Sequence, residues 1–344
     1  MKLSCPEMKT HAIIPIFIPH EGCPNSCVFC NQNRITANEK PVPASEVSGI
    51  INSRLATLRG RGLTAVEVAF YGGSFTGLPA DRQSGYLEIA YFYKQKHEIN
   101  KIRLSTRPDY INDVVLSNLK QFGVDTIELG VQSFDDNVLE KAGRGHGSAV
   151  VYESSRMIRD YGFDLGIQLM IGLPGDTYEK DVFSANELVK VKPQIARLYP
   201  TMVIDGTELR RMYLASEYTP LTLSESITIT KQMYRIISGA GINIIRVGLK
   251  SKDLINNPQE GFHPAFRQLV ESEIAKEDLE KQIGSFPDFP QNAYVHLLSN
   301  GKSFSNLIGH RKSNKEYFSE KYPLLKFSYE IDNALADDQY TVKF

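Results

Sequence analysis

Short apolar runs recur along this chain at roughly thirty-residue intervals, with amphipathic stretches between them, and this rhythm constrains the fold more than any other feature. Strand-sized runs alternating with helix-sized patterns predict βα units and a parallel sheet. The predicted strands are Ala12–Ile18, Ala65–Tyr71, Lys101–Arg107, Thr126–Gln132, Phe163–Met170, Gln194–Tyr199 and Ile242–Val247. The predicted helices are Ser45–Leu58, Pro79–Lys96, Tyr110–Phe122, Ala149–Tyr161, Tyr178–Val189 and Ser224–Gly239. Such a series fits a barrel or an open doubly wound sheet.

Alternation within the strands separates the two. Successive strand residues face opposite sides. In Thr126–Gln132, Ile127, Leu129 and Val131 share one face, and Glu128, Gly130 and Gln132 the other. Val66, Val68 and Phe70 stand against Glu67, Ala69 and Tyr71; Ile102 and Leu104 stand against Arg103, Ser105 and Arg107. Phe163–Met170 divides in the same way. A sheet covered by helices on both faces reads as continuous apolar runs. A repeated polar face therefore predicts helices outside and a wet, functional cavity inside, where charges pair or meet ligands.

Three of the four cysteines fall within eight residues, Cys23, Cys27 and Cys30, spaced C-x3-C-x2-C directly after the first predicted strand. A structural zinc takes four protein ligands, for which Cys5 or His20 would have to serve as the fourth. An iron–sulfur cubane can be held by three cysteines with its fourth iron open. Few cysteines and no secretory signal speak for a reducing compartment and against disulfides. The apolar run Ala12–Ile18 is too short to span a membrane. Net charge is −1, with 42% hydrophobic and 23% charged residues, so any surface for nucleic acid must be local; a cytoplasmic protein is expected.

The cysteine spacing resembles that of the radical S-adenosylmethionine (SAM) enzymes. The resemblance implies a 4Fe–4S cluster on Cys23, Cys27 and Cys30 whose open iron is chelated by SAM. It also implies a one-electron donor such as flavodoxin or ferredoxin. Tyr71-Gly72-Gly73-Ser74-Phe75, ending the second strand, is similar to the GGE-type motif that holds the SAM amino group, and Phe29 matches the aromatic position near the adenine. Further on, Ser105-Thr106-Arg107-Pro108-Asp109-Tyr110, Glu128-Leu129-Gly130-Val131-Gln132-Ser133, Arg144-Gly145-His146, Tyr199-Pro200-Thr201 and Gly206-Thr207-Glu208-Leu209 recur in order. That ordered set resembles the radical-SAM domain of the Elongator catalytic subunit, a tRNA wobble-uridine modifying enzyme, over roughly residues 10–250. More distantly it resembles oxygen-independent coproporphyrinogen oxidase.

On that resemblance Gln132 and Arg144 sit where the SAM ribose and carboxylate are contacted, and an Arg fork suits a carboxylate. Ser105 fits a strand-end hydroxyl for the SAM tail, and Gln168 stands where the coproporphyrinogen-oxidase branch has an Asp. His146 is a candidate proton donor. Tyr199, Arg197 and Arg246, near the ends of the last two strands, are the expected substrate-side residues, because barrel sites gather at strand C-termini. The sequence ends at Phe344 without the acetyltransferase domain of the Elongator subunit, so acetyl transfer is not expected of it.

The expected fold is α/β: a partial (β/α)6 radical-SAM barrel over residues 1–250, with a small C-terminal α/β appendage over 251–344. In the appendage, Phe262–Ile283 reads as a helix with Phe266, Leu269 and Val270 as its apolar stripe. Strand Ala293–Leu298, helix Ser303–Ile308, Gly309-His310-Arg311-Lys312, helix Ser313–Lys321 and strand Leu324–Ile331 come next, with Gln339–Phe344 as a last strand. Strand, helix, basic Gly loop, helix, strand is the order of a KH-type RNA-binding core, here with Lys312 in place of the second loop glycine. From Lys302 to Lys326 there are six Lys or Arg against two Glu. The leading expectation is radical chemistry on tRNA or another RNA. A small-molecule substrate (tetrapyrrole-like decarboxylation or methyl transfer) is the second enzyme reading. A non-catalytic RNA-binding or zinc-stabilised scaffold is the reading from another class.

Overall fold

The computed structural model describes residues 11–18, 22–23, 27–31, 42–249, 261–286 and 293–344. Cys5, His20 and the expected domain boundary at 250/251 lie outside them. The chain divides into two compact units, one ending at Phe262 and the other running from His263 to Phe344. Among the described residues no helix is long and apolar enough to cross a membrane.

The first unit is built on one parallel sheet in strand order β1 to β7, each strand paired with its neighbours in sequence. The strands are β1 (His11–Ile18), β2 (Ala65–Gly72), β3 (Lys101–Thr106), β4 (Thr126–Gln132), β5 (Asp164–Ile171), β6 (Ile195–Pro200) and β7 (Asn243–Val247). All seven expected strands are present, to within two residues at each end. The sheet curls into a half-barrel whose edge strands, β1 and β7, do not pair: the expected partial barrel, carried on seven strands.

The helices are α1 (Ala44–Leu58), α2 (Ala80–Gln95), α3 (Asp113–Gln121), α4 (Asp136–Lys141), α5 (Ser148–Asp160), α6 (Tyr178–Val191), α7 (Glu208–Leu214) and α8 (Leu223–Gly239). Side chains start many of them. Asn112, Asp135, Thr177 and Thr207 each accept from a backbone N–H in the first turn, and Thr222 forms a capping box with Glu225. The third helix begins at Asp113 rather than Tyr110, because Pro108–Tyr110 is a separate 3-10 turn and the Asn112 cap opens a new helix.

The two strand faces divide as the alternation predicts. Ile127, Leu129 and Val131 of β4, Leu165 and Leu169 of β5, and Ile14 and Ile16 of β1 are all fully buried. Each such side chain contributes about 1.5–3 kcal/mol on transfer from water. The opposite face of β2 to β6 carries Glu67, Arg103, Glu128 and Arg197, whose charged groups pair with one another, and Gln168, which pairs with Gln132.

The second unit holds α9 (Phe266–Gly284), β8 (Tyr294–Ser299), α10 (Phe304–Ile308), α11 (Ser313–Lys321), β9 (Lys326–Ile331) and β10 (Tyr340–Lys343). Its sheet runs β10-β8-β9, with β8 parallel to β9 and antiparallel to β10. Ala275, Leu279 and Ile283 of α9 pack with Val295, Leu297, Leu307 and Phe318 into its core. Phe266 and Val270 are buried and Leu269 partly so. Arg311 and Lys312, both exposed, take left-handed φ values of 52° and 70°.

Candidate active site

The cysteine loop is seated by backbone. A Cβ placed on Gly22 would lie 2.2 Å from the Ser74 carbonyl oxygen, and one on Gly77 would lie 2.0 Å from the Gly22 oxygen. Only two glycines allow this approach of the loop to the turn after β2. Downstream, Val28 N–H donates to Ala142 O at 3.1 Å and Leu209 N–H donates to Val28 O at 2.7 Å. Cys27 and Phe29 pack with Val138 and Ala142 of the α4 segment and with Leu209 of α7. Neither of those two helices is predicted from the sequence. They are six and seven residues long, too short for a helical period to show, and the capping residues Asp135 and Thr207 were the one available sign.

Cys23, Cys27 and Cys30 are unbridged thiols at one wall of a cavity of about 260 Å3. Among the described residues no group of three or more His, Cys, Asp or Glu side chains is gathered so as to hold a single ion. A cubane makes a different demand, one cysteine on each of three separate irons.

From the cysteines the cavity continues over Gly72, Gly73 and Ser74 at the end of β2 and Ser105 at the end of β3. Gln132, Arg144 and Gln168 line it next, and Phe29 closes the side near the cysteines. All the residues expected around SAM therefore share this one cavity. Gly72 has φ 116°, and Gly73 N–H donates to Ile18 O at 2.8 Å, which turns the chain sharply under the opening.

Arg144 is 4% exposed and reaches the cysteines: Nη1 donates to Cys27 Sγ at 3.0 Å, and Nη2 donates to Gly130 O. Its Nε is buried without a hydrogen-bond partner. Gln132, at φ 75° where the β4–β5 register shifts, accepts from Gln168 Nε2 at 3.2 Å. His146 is pushed down to about 4, first by burial and then by the Arg144 charge, so it is neutral at physiological pH. Next to Arg144, on the wall of the same cavity, lies Arg107, 3% exposed. Burial lowers its pKa, but the Asp109 carboxylate and the charges of Cys27 and Cys23 outweigh that and raise it overall.

Deeper in the half-barrel, charges form a continuous network. Arg103 joins Glu67 at 2.8 Å and Glu128 at 3.0 Å, and Arg197 Nε lies 2.5 Å from Glu128. Arg197 also donates to the hydroxyls of Tyr71 at 2.9 Å and Tyr199 at 3.3 Å. Burial, then the Glu128 charge, pushes the Tyr71 hydroxyl up to about 12. Of the three expected substrate-side residues, Tyr199 lines the cavity; Arg197 does not, and instead holds Tyr199 from behind. Arg246 stands opposite Arg197 in the β6–β7 register, partly exposed and away from the cavity wall. Beside Tyr199 the lining turns apolar, with Met170, Met202, Ile204 and Leu249, none of which is picked out by the sequence pattern.

Residues 17–184 match the radical SAM superfamily and residues 193–276 match the radical SAM C-terminal domain. The chain belongs to the radical SAM superfamily. It is an enzyme of that superfamily with Elongator-like relatives. The tRNA uridine(34) acetyltransferase of Dehalococcoides mccartyi is 27% identical over 231 residues, 58% of this chain and 50% of that protein. Elongator complex protein 3 of Homo sapiens is 26% identical over 198 residues, 52% of this chain and 36% of that one. The chain thus spans half or less of these curated relatives. In fold, the radical SAM chain is similar to the Elp3 of Methanocaldococcus infernus, with a TM-score of 0.60 at 19% identity over 79% of this chain and 64% of that one.

Proposed function

We propose that this chain is a radical SAM enzyme that binds a 4Fe–4S cluster and SAM and takes a hydrogen atom from an RNA, with tRNA as the leading substrate. The observation that carries the reading is the convergence of Cys23, Cys27 and Cys30 with Gly72, Gly73, Gln132 and Arg144 on one cavity. The donor set fits a cluster: three unbridged thiols at one cavity wall, with a guanidinium already donating to the buried Cys27 sulfur. When bound, the reduced cluster supplies the electron that splits SAM into methionine and a 5′-deoxyadenosyl radical.

The chain's own residues orient what binds. Arg144 would hold the SAM carboxylate, and the backbone at Gly72 and Gly73 would hold its amino group. The Gln132–Gln168 pair would hold the ribose, Ser74 and Ser105 the tail, and Phe29 would flank the adenine. Tyr199, held by Arg197, faces the substrate across the apolar lining of Met202, Ile204 and Leu249. Radical abstraction needs no general base, which accords with a substrate wall that offers one hydroxyl and mostly carbon.

RNA is supported by the names of the relatives and by the exposed, left-handed Arg311-Lys312 pair within the basic stretch Lys302–Lys326. In this reading the C-terminal unit docks RNA in the manner of a KH core, a flavodoxin- or ferredoxin-type protein supplies electrons, and the reducing cytoplasm keeps the thiols open. The apolar lining beside Tyr199 also suits an organic ring, which favours a small molecule as the second reading. The deciding experiment is anaerobic reconstitution, reduction with dithionite, and quantification of 5′-deoxyadenosine from SAM with and without total tRNA. Stimulation by tRNA supports the RNA reading. Formation indifferent to tRNA supports the small-molecule reading, and no product from a cluster-replete sample overturns both.

A further inference from the structure

Arg107 has no part in that chemistry, yet it is among the most tightly held side chains near the cysteines. It sits just past the end of β3, and its Nε and Nη2 donate to the two Asp109 carboxylate oxygens, each at 2.9 Å. Nη2 also donates to the Arg144 carbonyl. The opposite corner of the fork, Nη1, stands 4.0 Å from Cys27 Sγ. The Tyr110 ring lies beside the guanidinium, 5.7 Å from centroid to carbon. A planar fork clamped at one edge cannot turn its free corner away. Arg107 is therefore a second fixed cation on the sulfur that Arg144 already touches. Arg107 lines the same cavity, but its Nε and Nη2 are already held by the Asp109 carboxylate, a partner that Arg144 lacks.

We propose that the Asp109–Arg107 pair sets the reduction potential of the cluster through Cys27. This rests on the proposed cluster at Cys23, Cys27 and Cys30. Reduction brings one electron from a donor outside the chain and adds one negative charge to the cluster, with no proton needed. Positive charge and hydrogen bonding at a ligand sulfur stabilise that extra charge and raise the potential. Asp109, on the far edge of the same fork, tempers the effect and fixes its direction. Arg107 is thus a positioning residue: it aligns the Arg144 backbone and sets the charge felt at Cys27.

The test is a potential titration, monitored by electron paramagnetic resonance, of the anaerobically reconstituted full chain, with iron and sulfide counted first. The variants are R107Q, R107K and D109N. The midpoint should move negative in R107Q and positive in D109N, and stay near wild type in R107K. Opposite signs for the two members of one ion pair are not expected of a merely structural clamp. An unmoved midpoint in R107Q and D109N at wild-type iron content, or a shift of both in one direction, overturns the proposal. If R107Q does not retain iron, D109N decides: a positive shift with R107K near wild type supports the proposal, and an unmoved or negative midpoint in D109N overturns it. Wild-type protein that binds no cluster would instead sink the underlying reading, before any variant is compared.

Discussion

Arg197 on β6 reaches across β5 to Glu128 on β4, 2.5 Å away, through a gap left by Gly166. A Cβ on Gly166 would lie 2.8 Å from Glu128 Cγ and 2.9 Å from Ile195 Cγ1. The missing side chain is what lets the two charged groups meet over the intervening strand. Gly166→Ala should cost about 1–3 kcal/mol by overpacking. Because Arg197 holds the Tyr199 hydroxyl, it should also reduce substrate-dependent turnover more than cluster content. Chemical denaturation and iron analysis on the same preparation check both; a variant of wild-type stability would sink the packing account.

Gly77→Ala should empty the cysteine loop without touching a cysteine. The added methyl would meet the Gly22 carbonyl at 2.0 Å, between two stretches of backbone that have no side chain to rotate away. The expected result is a folded chain, by circular dichroism, that retains a small fraction of the wild-type iron. Cys27→Ala serves as the reference for complete loss. Normal iron in Gly77→Ala would show that the loop can be seated in another way.

Asp176, half-buried, and Asp181, buried, share a side-chain hydrogen bond at the start of α6. Burial raises Asp176 from 3.8 to about 6, and burial together with the Asp176 charge raises Asp181 well above its ordinary value. A carboxyl whose folded pKa is raised contributes stability below its unfolded value and loses it as pH rises through the folded value. The native state should therefore lose about 1–3 kcal/mol between pH 4 and pH 6.5. Asp176→Asn should melt a few degrees above wild type at pH 7.5 and together with it at pH 4. Parallel melting curves at both pH values would remove the pair as the cause.

Arg311→Glu with Lys312→Glu should weaken RNA binding and lower its salt dependence, with a slope smaller by about 0.7 for each single-strand phosphate no longer neutralised. Both side chains are exposed and neither belongs to the core of the second unit, so the melting temperature should hold. Filter binding of total tRNA across a salt series gives the slope. An unchanged affinity would place the RNA-binding surface elsewhere on the chain.

The strand faces could be read from period-two alternation because each face has a single solvent for its whole length. Ile127, Leu129 and Val131 meet helices, and Glu128 and Gln132 meet other polar groups. That the cysteines and glycines share one cavity was readable for a related reason: they are residue types with few substitutes in such positions. The substrate wall was not. Arg197 and Arg246 share a register line, but the register shifts between Ala196 and Arg197, and only Tyr199 lines the cavity. Met202, Ile204 and Leu249 carry no pattern that separates them from core. Nor could one sequence reveal that Arg197 is committed to Glu128, since that pairing depends on a glycine one strand away.

The cysteines stand near the start of the chain, yet the groups that fasten their loop come from Gly77, Ala142 and Leu209. On a ribosome, the three thiols emerge long before the last of these anchors has been made. The loop is therefore fastened in full only once the chain has been made as far as Leu209, when most of the half-barrel's strands are already in place.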